Sequence, residues 1–395
     1  MIIPIAERLS DVQEYYFARK LREIRRRMDL GEDIINLGIG SPDQMPSDET
    51  VKALIASAVE PQSHGYQPYK GIPALRQGFA GWYLGTYGVS LDPETEILPL
   101  MGSKEGIMHI SMAFLDPGDQ VLVPDPGYMT YRSASLLAGA VPIFYPLRAE
   151  NGWLPDFDAL ERMDLSRVKI MWVNYPHMPT GTDATDALYE RLIAFGRQHR
   201  ILICQDNPYS LVLNPQPKSL LAYARAREVA LELNSLSKSH NMAGWRIGMV
   251  AGAAPYIQAI LQVKSNMDSG MFLPLQMAAV EALRNSYAWH HERNQVYAQR
   301  REIVWEMLDV LGCTYARDQV GMFVWAAVPA DQESGEHLSD RLLDEAQVFI
   351  APGSIFGEQG RAYIRVSLCT AAPRLREALE RLRHWQAARS PLHLA

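Results

Sequence analysis

Cysteine is scarce: Cys204, Cys313 and Cys369 are the only three in 395 residues, an odd and widely spaced set. That excludes a disulfide framework and a zinc-ligand spacing, and predicts reduced thiols that act as small buried hydrophobes. Positive charge is also short. Lys and Arg total 38 against 45 Asp and Glu, a formal net charge of −7. This balance argues against a nucleic-acid footprint and against a polybasic membrane surface. No apolar run approaches the ~18 residues that span a bilayer. The stretch MIIPIAERLSDVQEYY places acids and aromatics where a signal peptide carries a basic end, an apolar stretch and a cleavage site. A cytoplasmic location is therefore expected. Internal repeats and low-complexity segments are missing too. What remains is 48% hydrophobic and 21% charged, the composition of a globular protein with a large core. At roughly 100–200 residues per domain, the length predicts two or three domains.

Residues 11–30 read as a charged amphipathic helix, with Leu21, Ile24 and Met28 set against Arg22, Arg25 and Arg26. A Gly/Pro-rich entry, INLGIGSPDQMP, follows. Short apolar runs then alternate with helical patterns. The candidate strands are 96–101, 120–124, 141–146, 168–174, 201–206, 229–235 and 246–252. Such alternation predicts an α/β fold, with a mainly parallel seven-stranded sheet covered by helices on both faces. Helices dominate from about 274 to 310, and the rest mixes short strands with helices as a smaller α+β unit. The expected division is an arm and helix over 1–45 that joins the small unit, a large domain over 46–285, and a small C-terminal domain over 286–395.

Ligands of open α/β sheets collect at the carboxyl ends of the strands. After 96–101 comes Gly102-Ser103-Lys104, then a helix. Free N–H groups and the helix dipole there attract phosphate, although a plain N-cap at Ser103 reads equally well. After 201–206 come Asp206, Asn207, Pro208 and Tyr209. A carboxylate at a strand end is often only a cap. After 229–235 come Ser235, Ser237 and Lys238, with Arg246 downstream, either a solvated polar loop or a source of phosphate donors and an amine. Together these ends offer what pyridoxal 5′-phosphate (PLP) needs. Its aldehyde takes a lysine amine, its ring nitrogen an acidic partner, and its phosphate donors and positive charge. Of the eight lysines, only Lys238 follows a candidate strand with serines beside it and Gly-x-Arg downstream. The competing nucleotide reading is opposed by LGIG at 37–40, which does not complete G-x-G-x-x-G.

The segment SLSKSHNMAGWRIG, 235–248, resembles the Schiff-base motif of fold-type-I PLP-dependent aminotransferases of class I/II. Six further segments resemble that family in the same order: INLGIGSPD, YQPYKGIPALR, PDPGYMTY, NYPHMPTG, DNPY and APGSIFG…YIRVSL. The resemblance runs nearly end to end. It implies that Lys238 forms the Schiff base (the internal aldimine) and moves the proton between Cα and the cofactor. It implies that Asp206 partners the pyridine N–H and that Tyr209 donates to the phenolic oxygen O3′. Ser103, Lys104, Ser235, Ser237 and Arg246 match phosphate-binding positions, and Tyr128 the aromatic stacked on the ring. Arg365 matches the bidentate clamp on the substrate α-carboxylate, a task suited to guanidinium geometry. Gly38 and Gly40 match the loop where backbone approaches substrate. Tyr66 matches a residue that reaches the neighbouring subunit's phosphate, which implies a homodimer with shared sites. Ser269, in the 264–276 segment, falls where the family has a dimer-interface loop.

Tyr15-Tyr16-Phe17 and Ser103-Lys104 lean toward the LL-diaminopimelate aminotransferase-like branch, with Tyr15 touching substrate. The implied activity is transfer of an amino group between an L-amino acid and a 2-oxo acid by a ping-pong mechanism. The rivals are another PLP reaction on the same scaffold, such as β-elimination or cyclisation, and a PLP sensor without catalysis. One departure is specific. The family's Asn before Pro-Thr-Gly is Met178 here, and a thioether cannot donate. Tyr209, with His177 or Asn174 as candidate helpers, is expected to carry the O3′ contact. Loss of a donor to a phenolate favours protonation of the Schiff base. Met178→Asn should therefore lower the pKa read by visible absorbance titration of the holoenzyme, and an unchanged midpoint would contradict this account.

Overall fold

The computed structural model describes residues 3–10, 12 and 16–389. Its strands, in chain order, are β1 (Ile35–Asn36), β2 (Ile97–Leu100), β3 (Gln120–Asp125), β4 (Val141–Pro146), β5 (Val168–Val173) and β6 (Leu202–Asp206). There follow β7 (Ala230–Ser235), β8 (Gly248–Gly252), β9 (Phe323–Ala327), β10 (Val348–Phe349), β11 (Ala351–Pro352) and β12 (Tyr363–Ser367). The seven apolar runs singled out in the sequence become β2 to β8. They form one sheet in the order β2-β8-β7-β6-β5-β3-β4, in which β8 runs antiparallel to both of its neighbours. The other pairings are parallel.

The central strands are continuous apolar runs because both of their faces are covered. Every residue of β6 and of β7 is buried. One face packs on a core that includes Leu75, Phe79, Tyr83 and Met249, the other on a core that includes Ile107, Ile110, Trp172 and Leu233. β4 is an edge strand, exposes Val141 and Phe144, and carries Pro142 and Pro146, residues that an edge position tolerates well.

A separate core gathers Leu37, Trp305, Met307, Trp325, Leu342, Leu375 and Trp385. It lies under the small antiparallel sheet β11-β12-β9 and the helices Tyr287–Val310, Gly335–Ala346 and Ala372–Ala387. β1 pairs in parallel with β10, so the N-terminal segment closes onto C-terminal residues. The helix expected over 11–30 spans Tyr16–Asp29. Its Ile24 is buried, but Met28 is exposed, so the apolar face is shorter than its sequence pattern suggests. Lys20 and Arg27 pair with Asp340 and Asp344 of the helix Gly335–Ala346.

Cys204, Cys313 and Cys369 are all buried free thiols. No helix among the described residues is long and apolar enough to cross a membrane. Glu105, His109 and Asp268 bring ligand-type atoms within 4.8 Å of one another. A fixed cation already serves that cluster, because the fully buried Lys264 pairs with Asp268 at 2.6 Å. Breaking a buried pair on one side leaves an uncompensated charge, whereas replacing both members is close to neutral. Lys264→Met should therefore cost about 3–5 kcal/mol in denaturant melts. The double variant with Asp268→Asn should recover most of that loss, and equal costs for the single and double variants would contradict the pairing.

Candidate active site

The carboxyl ends of β2, β5, β6 and β7 open into one cleft of about 490 Å³. Its wall brings together Gly38, Gly40, Ser103, Lys104, Tyr128, Asp206, Tyr209, Ser235, Ser237, Lys238, Arg246 and Arg365. These residues span more than 300 positions of sequence. Tyr66 is not in this wall and is 91% exposed. Ser269 is exposed as well. Tyr15 lies outside the described residues.

Asp206 closes β6, and its register partner in β7 is Leu233. Lys238 follows β7 on the one-turn helix Leu236–Ser239, started by Ser235, whose hydroxyl accepts from the Ser237 N–H at 3.1 Å. Parallel pairing of neighbouring strands thus sets the acid and the amine side by side. The Lys238 ammonium donates to the Gly40 carbonyl at 2.6 Å. Burial pulls the Lys238 pKa below the usual lysine range, which favours the neutral amine.

Asp206 is 5% exposed, and it is no helix cap: Oδ2 accepts from the Tyr131 hydroxyl at 2.9 Å. Its other oxygen, Oδ1, is buried and has no hydrogen-bond partner among the described residues. Burial pushes this carboxyl up to about 6, against the Tyr131 hydrogen bond and the Lys238 charge. Tyr131 in turn stacks on Trp172, with ring centroids 4.9 Å apart and planes 6° from parallel. Tyr128 meets Tyr131 edge-on at 5.6 Å.

The turn after β2 is shaped by a glycine. Gly102, at φ 86°, is the N-cap of the helix Ser103–Phe114 and makes no side-chain cap bond, so Ser103 is the first helical residue rather than the cap. A Cβ on Gly102 would collide with the Arg246 guanidinium. Arg246 Nη1 donates to Ser237 Oγ at 3.3 Å, which ties the two serine-bearing turns into one cradle. Arg365, 4% exposed on β12, reaches the cleft from the separate core and donates from Nη2 to the Gly38 carbonyl at 2.8 Å. Gly40 is small for a packing reason: a Cβ there would run into the Phe323 ring.

The candidate helpers of Tyr209 are engaged elsewhere. Asn174 lines the cleft, but its amide donates to the Asp206 carbonyl and its oxygen accepts from the Met178 N–H. His177 is buried beside Thr180, with Nδ1 to Oγ1 at 2.8 Å, and is not in the cleft wall. Tyr209 does line the cleft, edge-on to Phe323 at 5.9 Å. Leu21, Ile39, Ser41, Tyr131, Pro208, Ala243 and Phe323 also line it, and none of them is a site residue in the sequence reading. Tyr131 was within reach, since it ends the same PDPGYMTY segment that contains Tyr128. Phe323 had no local signal.

The donor set fits pyridoxal 5′-phosphate. The orphaned, buried Asp206 Oδ1 is an acceptor of the kind a pyridinium N–H requires, and the helix start beside Arg246 suits a phosphate dianion. The raised Asp206 pKa has a thermodynamic consequence. Between the unfolded value of about 4 and the folded value of about 6, the folded protein binds the extra proton. The cofactor-free protein should therefore lose stability as pH rises through that window. Asp206→Asn should be more stable than the wild type by about 2–3 kcal/mol at pH 8 and by little at pH 4. Melting of the cofactor-free proteins across pH checks this, and a gap independent of pH would contradict it.

Residues 32–382 match the family aminotransferase class I and II. The chain is 41% identical over 380 residues to the LL-diaminopimelate aminotransferase of Desulforudis audaxviator, covering 96% of this chain and 97% of that one. It is 40% identical over 380 residues to the enzyme of the same name from Moorella thermoacetica, covering 96% and 97%. Among solved structures, substrate-bound BacF from Bacillus subtilis superposes with a TM-score of 0.93 at 34% identity, over 97% of this chain and 98% of that one. A Thermus thermophilus aspartate aminotransferase variant superposes with a TM-score of 0.90 at 27% identity, over 97% and 99%. Fold, cleft and relatives agree: the chain belongs to the class I and II aminotransferases, in the LL-diaminopimelate aminotransferase branch, and performs PLP-dependent amino-group transfer.

Proposed function

We propose that the cleft exchanges an amino group between an L-amino acid and a 2-oxo acid, with Lys238, Asp206 and Tyr209 as its catalytic residues. The supporting observation is a buried amine, a buried carboxyl with an orphaned oxygen, and a buried guanidinium in one cavity. When bound, PLP supplies an amine-reactive aldehyde and a ring that accepts the electron pair left by a departing α-proton. Lys238 would hold the aldehyde through its amine and would move the proton at the substrate Cα. Asp206 would partner the ring nitrogen, and Tyr209 would donate to the phenolic oxygen. Ser103, Lys104, Ser235, Ser237 and Arg246 would hold the phosphate, with Tyr128 against the ring. Arg365 orients the substrate by its α-carboxylate, with Gly38 and Gly40 as the backbone that approaches it.

The chain divides, in this reading, into 1–45, 46–285 and 286–395, so that Arg365 arrives on the small unit while Lys238 and Asp206 belong to the large one. The working form is a cytoplasmic homodimer in which Tyr66 completes the neighbour's phosphate site. Its 91% exposure and its place outside the cleft of its own chain support that assignment. LL-diaminopimelate, the substrate named for the relatives, is the first donor to test.

A panel of amino acids, including diaminopimelate, glutamate, alanine and aromatics, should bleach the yellow holoenzyme one at a time. A 2-oxo acid such as 2-oxoglutarate should restore the colour. Lys238→Ala should abolish both changes and lose at least about 10⁴-fold in turnover, as expected for removal of the residue that both attaches the aldehyde and moves the proton. Release of ammonia and pyruvate without bleaching would instead favour the lyase reading. Bleaching and turnover that persist in the Lys238→Ala variant would overturn the assignment.

A further inference from the structure

The Arg365 guanidinium is held on four sides. Its carbon lies 3.9 Å from the centroid of the Phe323 ring and 4.6 Å from that of Phe356. The two rings resist tilting of the guanidinium plane. Rotation within the plane is controlled at the nitrogens. Nη2 donates to the Gly38 carbonyl at 2.8 Å, and Nη1 meets the Met178 sulfur at 3.2 Å. Met178 is itself fixed. Its N–H donates to Asn174 Oδ1 at 2.8 Å, and its side chain, 6% exposed, packs in the same core as Phe323 while lining the cleft.

A thioether is a weak acceptor and carries no charge. It steers Nη1 without neutralising it. A carboxylate in that place would form a charge-assisted bond about twice as strong as a neutral one, which the substrate would have to displace. We infer that Met178 is a positioning residue for Arg365, its sulfur orienting the guanidinium edge and yielding to the α-carboxylate of the incoming substrate. This rests on the reading of Arg365 as the carboxylate clamp. Both substrates of the exchange carry that carboxylate on the same carbon, so the Met178 sulfur acts on the affinity for donor and acceptor together.

Three variants test this in the holoenzyme. Met178→Leu keeps the apolar bulk and removes the acceptor; KM for the amino acid and for 2-oxoglutarate should rise together by about fivefold, with kcat within about twofold. Met178→Glu places a competing carboxylate on Nη1, and both KM values should rise further than in the Leu variant. Binding is read separately by absorbance titration with 2-methylalanine and with isopropylamine, which differ by the carboxylate alone. The Met178 variants should weaken the first and leave the second unchanged. Melting temperatures confirm that each variant is folded. Arg365→Lys is the control. If it leaves KM unchanged, the clamp reading itself falls. If it raises KM while Met178→Leu keeps wild-type constants, or lowers kcat alone, the clamp stands and the role of Met178 is overturned.

Discussion

A carboxyl and an amine, both taken out of water at the ends of neighbouring parallel strands, set the terms for the rest of this structure. Asp206 and Lys238 would each be solvated and unremarkable on a surface. Between β6 and β7, desolvation drives the first toward its neutral form and the second toward the free amine. Isolated, such groups cost stability. Here, among the described residues, the fold retains an orphaned carboxylate oxygen and a lysine whose one tether is a loop carbonyl, which is the pattern of a site prepared for a ligand rather than for stability.

The surroundings serve to keep those two groups where they are. Trp172 on β5 stacks on Tyr131, and Tyr131 holds one oxygen of Asp206, so a core aromatic pair fixes the orientation of the acid. The Ser235 hydroxyl starts the single turn that carries Lys238. Gly102 leaves the room that the Arg246 guanidinium fills, and Arg246 links that turn to Ser237. The site is thereby built on strand ends and short caps, elements whose position is set by the sheet rather than by loop conformation.

Arg365 belongs to another core and another sheet, yet it completes the same cavity. It is joined to the N-terminal segment through Gly38, and Asp43 of that segment is clamped by Arg300 of the helix Tyr287–Val310, with N–O distances of 2.7 and 2.8 Å. Lys238 reaches the same segment through Gly40. The loop at 38–43 is therefore the physical link between the amine on the large sheet and the guanidinium on the small one.

The sheet and much of the cleft were legible in the chain itself. Apolar runs of strand length separated by helical periodicity specify a covered parallel sheet wherever they occur, because burial on both faces leaves no room for alternation. The small residues, acid and lysine directly after those runs mark the strand ends, and short motifs such as SLSKSH and DNPY keep their spacing whatever they pack against. The role of Tyr131 on Asp206, the place of Phe323 and the pairing of Met178 with Arg365 were not legible in that way. Each acts through a partner distant in sequence: Tyr131 on Asp206, Phe323 on Arg365 and Gly40, Met178 on a guanidinium 187 residues away. Nor did local pattern show that Asn174 and His177 are committed elsewhere, since hydrogen-bond partners depend on which segments meet. Composition and periodicity determine which strands form and what stands at their ends; only packing in three dimensions decides which side chains those ends will face.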